Sequence, residues 1–217
     1  TELLFTPSAI MQDFTLHSVN LSGLRDVAGN LIVPVQRSFT TGNFVDTTRP
    51  SIVDVSPSNG AVNVPLNGLI HMIVSEPIVP ATVTNESFTV RDTLTGLLFD
   101  GVVNVSDDRA AITFTPNTPF LVGRRYQVVA NTLIQDSFGN ALFTSAPSFT
   151  TSFESDGTAP QVVQTTVAEG ATGIPLNGRF NVLFSEPISS LLVRDVVLQD
   201  SVGTDVSVVR TLSADKR

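Results

Sequence analysis

The chain has 217 residues, 41% of them hydrophobic and 15% charged, a balance that supports a buried core and excludes wholesale disorder. Twenty acidic against 12 basic residues give a net charge of −8, and the basic residues are scattered, which excludes the clustered cationic face that nucleic-acid phosphates require. With no cysteine there are no disulfides, thiolate metal sites or Cys nucleophile, and no apolar run approaches the roughly 20 residues of a membrane helix.

Fourteen Phe with no Trp and one Tyr, alongside abundant Val, Thr and Ile, favour pleated strands over helices. The chain starts at Thr1 with neither initiator Met nor signal sequence, and is read as a piece of a longer precursor. In chain order, "LLFTP" at 3–7, "DVAGNLI" at 26–32 and "SFTT" at 38–41 come first, and all three recur as "ITFTP" at 112–116, "DSFGNAL" at 136–142 and "SFTT" at 148–151. Between them begins a second series: Asp46, Pro50, Gly60, Pro65, Gly68 and Ser75-Glu76-Pro77 return 110 positions later as Asp156, Pro160, Gly170, Pro175, Gly178 and Ser185-Glu186-Pro187.

A constant offset over such a span means tandem domains. Residues 1–44 form the C-terminal part of one repeat, 45–154 a complete one, and 155–217 the N-terminal part of another. In the complete repeat, strands are predicted at 51–55, 69–74, 87–92, 101–105, 111–115, 125–131 and 147–153, separated by turn signals such as "PLNG", "SDDR" and "DSFGN". Seven short strands in about 110 residues is the count of a β-sandwich, so the fold class is all-β. Alternation of Ile70, Met72 and Val74, and of Phe180, Val182 and Phe184, turns one face of the second strand of each copy toward a core.

The run "DTTRPSIVDVSPSNGAVNVPLNGLIHMIVSEPI", followed by "ITFTPNTPFLVGRRYQVV" and "DSFGNAL", resembles the bacterial Ig-like domains of S-layer proteins and other large secreted proteins. The resemblance implies tandem Ig-like sandwiches acting as spacer, anchor or lattice modules outside the cell, with no catalytic residues.

Six acidic residues recur at equivalent positions: Asp46 and Asp156 in the linkers, Glu76 and Glu186 in "SEP", Asp26 and Asp136 in "DxxGN". In an Ig-type sandwich the loops carrying Glu76 and Asp136 share a pole with the linker carrying Asp46, an oxygen set that suits calcium, which takes 6–8 oxygen ligands. The same residues also suit plain turn chemistry, since Asp in "DxxGN" caps backbone amides while Gly takes positive φ. The two histidines, His17 and His71, have no counterparts in the other copy, and nothing marks a catalytic partner for either. His71 alternates with core-facing Ile70 and Met72 and so belongs on the outer face, and the Arg pair of "GRRY" reads as a solvated edge guard.

The two terminal pieces are complementary, since "SADKR" followed by "TELLFTP" aligns with "SDDRAAITFTP". Two expectations stand side by side: head-to-tail strand complementation between copies of the chain, or a boundary within a longer array. The leading functional reading is a structural module of an extracellular bacterial stalk, surface layer, adhesin or filament, partnered by neighbouring repeats or copies of itself and not an enzyme. The other is an accessory carbohydrate- or protein-binding module of a large secreted enzyme, with loop residues Phe120 and Phe138 as its aromatic platform.

Overall fold

The computed structural model describes residues 5–189, 193 and 195–213 and divides the chain into two compact units, Thr1–Thr48 and Arg49–Arg217. Parts of the "LLFTP" and "SADKR" matches, at 3–4 and 214–217, lie outside the described residues.

The first unit is an antiparallel hairpin of β1 (Leu16–Leu21) and β2 (Val35–Thr40), in register from Leu16 opposite Thr40 to Leu21 opposite Val35. The cross-strand pair His17 and Phe39 stacks with ring centroids 5.6 Å apart, the kind of lateral contact that holds a two-stranded ribbon together.

The second unit opens with a seven-stranded sandwich. One sheet runs in the order β3 (Ile52–Ser56), β4 (Ile70–Val74), β7 (Ala111–Pro116), β6 (Gly101–Val105). The other runs β5 (Phe88–Asp92), β8 (Arg125–Ala130), β9 (Ser148–Thr150), and every pairing is antiparallel. Each strand overlaps its predicted span, because period-2 alternation and flanking turn residues are local signals.

Facing side chains of the two sheets meet in one core. Ile70, Met72 and Val74 of β4 and Ile112 and Phe114 of β7 lie under Phe88 and Val90 of β5, Tyr126 and Val128 of β8 and Phe149 of β9, all buried. Phe99, Phe120, Tyr126 and Phe149 cluster with centroids 4.7–5.8 Å apart, and the buried Tyr126 hydroxyl accepts the Leu121 N–H at 3.0 Å, which satisfies the polar end of an otherwise apolar ring. Gly101 lets β6 pass close: a Cβ there would come within 2.3 Å of the Phe114 ring.

The last strand is shorter than the predicted 147–153, and its outer edge is covered by the chain at 60–64. Gly60 N–H donates to the Ser148 carbonyl, Thr150 N–H to that of Ala61 and Val64 N–H to that of Thr150. Covering this edge removes a row of open backbone groups.

Beyond the sandwich, β10 (Val162–Thr165) pairs with β11 (Val182–Phe184), and β12 (Leu198–Gln199) with β13 (Asp205–Val206). Here the structure departs from the expected core face: Phe180 is 53% exposed and Val182 38%, where their counterparts Ile70 and Met72 are at 0%. No second sheet covers this face among the described residues, and alternation buries a side chain only when something lies over it.

Candidate functional site

Two of the recurrent acidic residues, Glu76 and Asp136, come together beside the loop after β4. Asp136 follows β8, and its backbone bridges Ile78 of the loop after β4, while Val79 N–H donates to the Gln135 carbonyl at 2.8 Å. That pairing brings a carboxylate oxygen of Glu76 within 4.8 Å of one on Asp136. The "SEP" loop is held from its other side by Ser75, whose hydroxyl accepts the Ser51 N–H at 3.0 Å.

Asp136 is buried, and its oxygens are engaged. Oδ1 accepts the Phe138 and Asn140 N–H groups, each at 2.8 Å, Oδ2 accepts the Asn140 side-chain amide at 2.9 Å, and Gly139 has φ +88°. Asp26 in the first unit makes the same three bonds, to Ala28 N–H, Asn30 N–H and the Asn30 amide, with Gly29 at φ +90°. These donors, led by the Asn30 amide, hold the Asp26 carboxyl below its ordinary pKa. The turn reading is therefore realised at both positions. A third turn of this form, at Asp200, went unnoticed in the sequence: its Oδ1 accepts the Val202 and Thr204 N–H groups, both at 2.9 Å.

The second copy keeps the first half of this geometry. Ser185 Oγ accepts the Gln161 N–H at 2.9 Å, as Ser75 accepts Ser51. Glu186 faces Asp156: loss of solvent, and then the Asp156 charge and a hydrogen bond to it, push the Glu186 carboxyl above its ordinary value. Glu186 Oε1 is shielded from solvent and has no hydrogen-bond partner among the described residues. Asp46 lies in the first unit, where its Oδ1 caps the Thr48 N–H at 2.8 Å, and Asp156 caps Thr158 at 2.9 Å in the same way.

Sequence reasoning missed the residue that grips the linker. Asn67, in the "PLNG" turn, donates its amide to the Asp156 carbonyl at 2.6 Å and accepts the Asp156 N–H at 2.9 Å, a two-bond fork on one backbone residue. Leu66 N–H adds a bond to the Glu154 carbonyl at 3.1 Å, and Leu66 carbonyl accepts Phe120 N–H at 2.7 Å. The repeated "PLNG" carried this signal, but nothing local says what the amide will hold.

Two other expectations are corrected. Arg124 is no edge guard: its guanidinium makes bonds of 3.0 and 2.5 Å to the buried Asp92, while Arg125 reaches the Ser148 hydroxyl at 2.7 Å. Although loss of solvent pushes the Asp92 carboxyl up, bonds from Arg124 and the Leu94 and Thr95 amides hold it below its usual value. Phe120 is buried in the aromatic cluster and cannot serve an exposed platform, whereas Phe138 is exposed. His71 stands beside Thr113 on the face away from the core, Nδ1 to Oγ1 3.1 Å. Two shallow depressions, of about 290 Å³ near Thr165 and Asn181 and about 190 Å³ near Phe99 and Asn117, contain no His and no nucleophile–base pair.

Against known proteins, the model of the bacterial Ig-like domain family matches residues 46–152 and again 156–217. An S-layer protein of Geobacillus stearothermophilus is 32% identical over 83 residues, which is 38% of this chain and 6% of that relative. Among solved structures, the N-terminal part of the bacterial S-layer protein SbsC shares 20% identity at a TM-score of 0.39, covering 55% of this chain and 26% of that one. CopC from Methylosinus trichosporium OB3b gives the same identity and TM-score over 48% of this chain and 94% of its own. Structural likenesses at this level carry no argument about role.

Proposed function

The chain belongs to the bacterial Ig-like domain family, and from that premise we propose that it is a non-catalytic structural segment of an extracellular bacterial surface protein, such as a surface layer, stalk, filament or adhesin. The observation that carries this reading is the joint: Asn67 of one repeat grips the backbone of the linker residue Asp156, whose carboxylate faces Glu186 of the next. A built joint between successive repeats is what an extended array under tension needs, and no helix among the described residues is long and apolar enough to cross a membrane. Antibody raised against residues 49–154 should label intact cells of the source organism; labelling only after lysis overturns the reading.

The joint also supports calcium. Glu76 meets Asp136 and Glu186 faces Asp156, two different carboxylate partners for the repeated "SEP" glutamate, and the repeat register assigns the missing third member, Asp46 to the first set and Asp26 of a neighbouring repeat to the second. A hard divalent ion offsets the repulsion of such pairs. Chelator should lower the melting temperature, and Glu76→Gln should remove that sensitivity; an unchanged melting temperature on chelation leaves turn chemistry as the whole explanation.

Assembly of copies head to tail is the finer part of the proposal. It is supported by exposed apolar side chains on both partners, Leu16 and Phe39 on the hairpin and Phe180 and Val182 on the β11 segment, whose counterparts Tyr126, Phe149, Ile70 and Met72 meet in the sandwich core. Sedimentation velocity should show mass rising with concentration, and a species that stays monomeric defeats it. The accessory-module reading retains exposed Phe138, and glycan binding abolished by Phe138→Ala would favour it.

A further inference from the structure

The "PLNG" turn occurs twice with the same internal geometry. Gly68 N–H donates to the Pro65 carbonyl at 2.9 Å and Gly178 N–H to that of Pro175 at 2.9 Å. A Cβ on either glycine would meet the same two neighbours at the same distances, the Pro carbonyl at 3.0 Å and the preceding Val64 or Ile174 side chain at 3.1 Å. Yet the surroundings differ, because Val64 is buried in a closed sandwich while its counterpart Ile174 is 41% exposed. The turn thus takes its shape without the sandwich around it.

In the first copy the turn is occupied. Leu66 and Asn67 make three bonds to the linker, and every linker atom they touch is backbone: the Glu154 carbonyl, the Asp156 N–H and the Asp156 carbonyl. A clasp that reads backbone selects register rather than side chains. At the 110-residue offset the counterpart of Glu154 to Asp156 is Phe44, Val45 and Asp46, and it follows β2 as the clasped linker follows β9.

We infer that Pro175 to Gly178 is a second, preformed clasp, and that its occupant is the backbone of Phe44 to Asp46 of a second copy of this chain, held by Leu176 N–H and the Asn177 amide. This rests on the head-to-tail reading above and assigns that contact its polar lock. The apolar faces would supply affinity without direction, whereas three backbone bonds at fixed spacing set the register in which the second copy's hairpin lies on the β11 segment. It also gives Asn177 a role that a turn alone does not require, since Gly178 already closes the turn.

The chain has no cysteine, so introduced thiols report without background. Leu176→Cys chains, which keep both the backbone N–H at 176 and the Asn177 amide, are mixed with Asp46→Cys chains and treated with a short bis-maleimide. Leu66→Cys with Asp156→Cys in one chain is the positive control, and Val27→Cys in place of Asp46→Cys sets the level of collisional linking. Expected is a cross-linked pair of chains well above that level, lost when Asn177→Ala is added to the Leu176→Cys chain. If sedimentation shows association but the 176–46 pair links no more than the Val27 control, the clasp is overturned while head-to-tail assembly stands. If there is neither association nor linking, both fall. In a chain carrying both Leu176→Cys and Asp46→Cys, linking without a dimer overturns the second copy as occupant.

Discussion

Strands β4 and β11 are written almost alike, "IHMIV" within "PLNGLIHMIVSEPI" and "VLF" within "PLNGRFNVLFSEPI", yet one has its alternate side chains sealed while the other leaves Val182 exposed and Phe184 only half-buried. Both begin from the same Gly-closed turn and end at the same Ser-anchored loop. What differs is the opposing layer: β5, β8 and β9 lie over β4, and nothing equivalent lies over β11 among the described residues. Alternation therefore states a demand for burial, and a second sheet has to meet it.

The largest test of that contrast is a pair of truncations. Met72→Ala should cost about 2–5 kcal/mol of sandwich stability, the usual range for emptying a sealed core position, while Val182→Ala in the dilute chain should stay within about 0.5 kcal/mol. Urea unfolding followed by circular dichroism reads both, and equal losses would mean that β11 is covered in solution. Gly101→Val comes next, at about 1–3 kcal/mol, because its branched side chain must displace the Phe114 ring; a neutral result would show that β6 is looser than its pairing implies. Tyr126→Phe should cost about 1 kcal/mol through the orphaned Leu121 N–H, and its counterpart on the open hairpin, Leu16, has no hydroxyl to lose. The smallest effect is acid sensitivity. Because the Asp92 carboxyl is held below its ordinary pKa in the fold, its contribution is complete above the unfolded value of about 4 and fades as pH falls through the lower folded value. Asp92→Asn should flatten the fall in melting temperature below about pH 4, whereas Asp200→Asn, altering a similar turn in the open region, should leave sandwich melting unchanged.

Much of the fold was legible because its signals are short-range. The seven strands of the sandwich follow from alternation bounded by Gly, Pro, Asn and Asp, and the Asp136 turn follows from one carboxylate placed two and four residues before the amides it caps. Illegible were contacts whose partners are far apart in the chain. Arg124 was misread because its partner Asp92 lies on another strand 32 residues away, and Asn67 because its ligand is 89 residues on. Phe120 was misplaced for the same reason, since a loop residue gives no local sign that it closes an aromatic cluster.

The sequence by itself determined that this is an all-β tandem of Ig-like repeats, where the main turns of the complete repeat fall, and which residues seek a core, since period, turn chemistry and internal repetition need only neighbouring residues to be expressed. Only the tertiary structure decided that Asn67 holds the linker, that Asp92 and Arg124 pair, and that β4 is sealed while β11 is open. Those outcomes depend on which chain segment arrives opposite a given side chain, and a residue carries no record of what will be brought to face it.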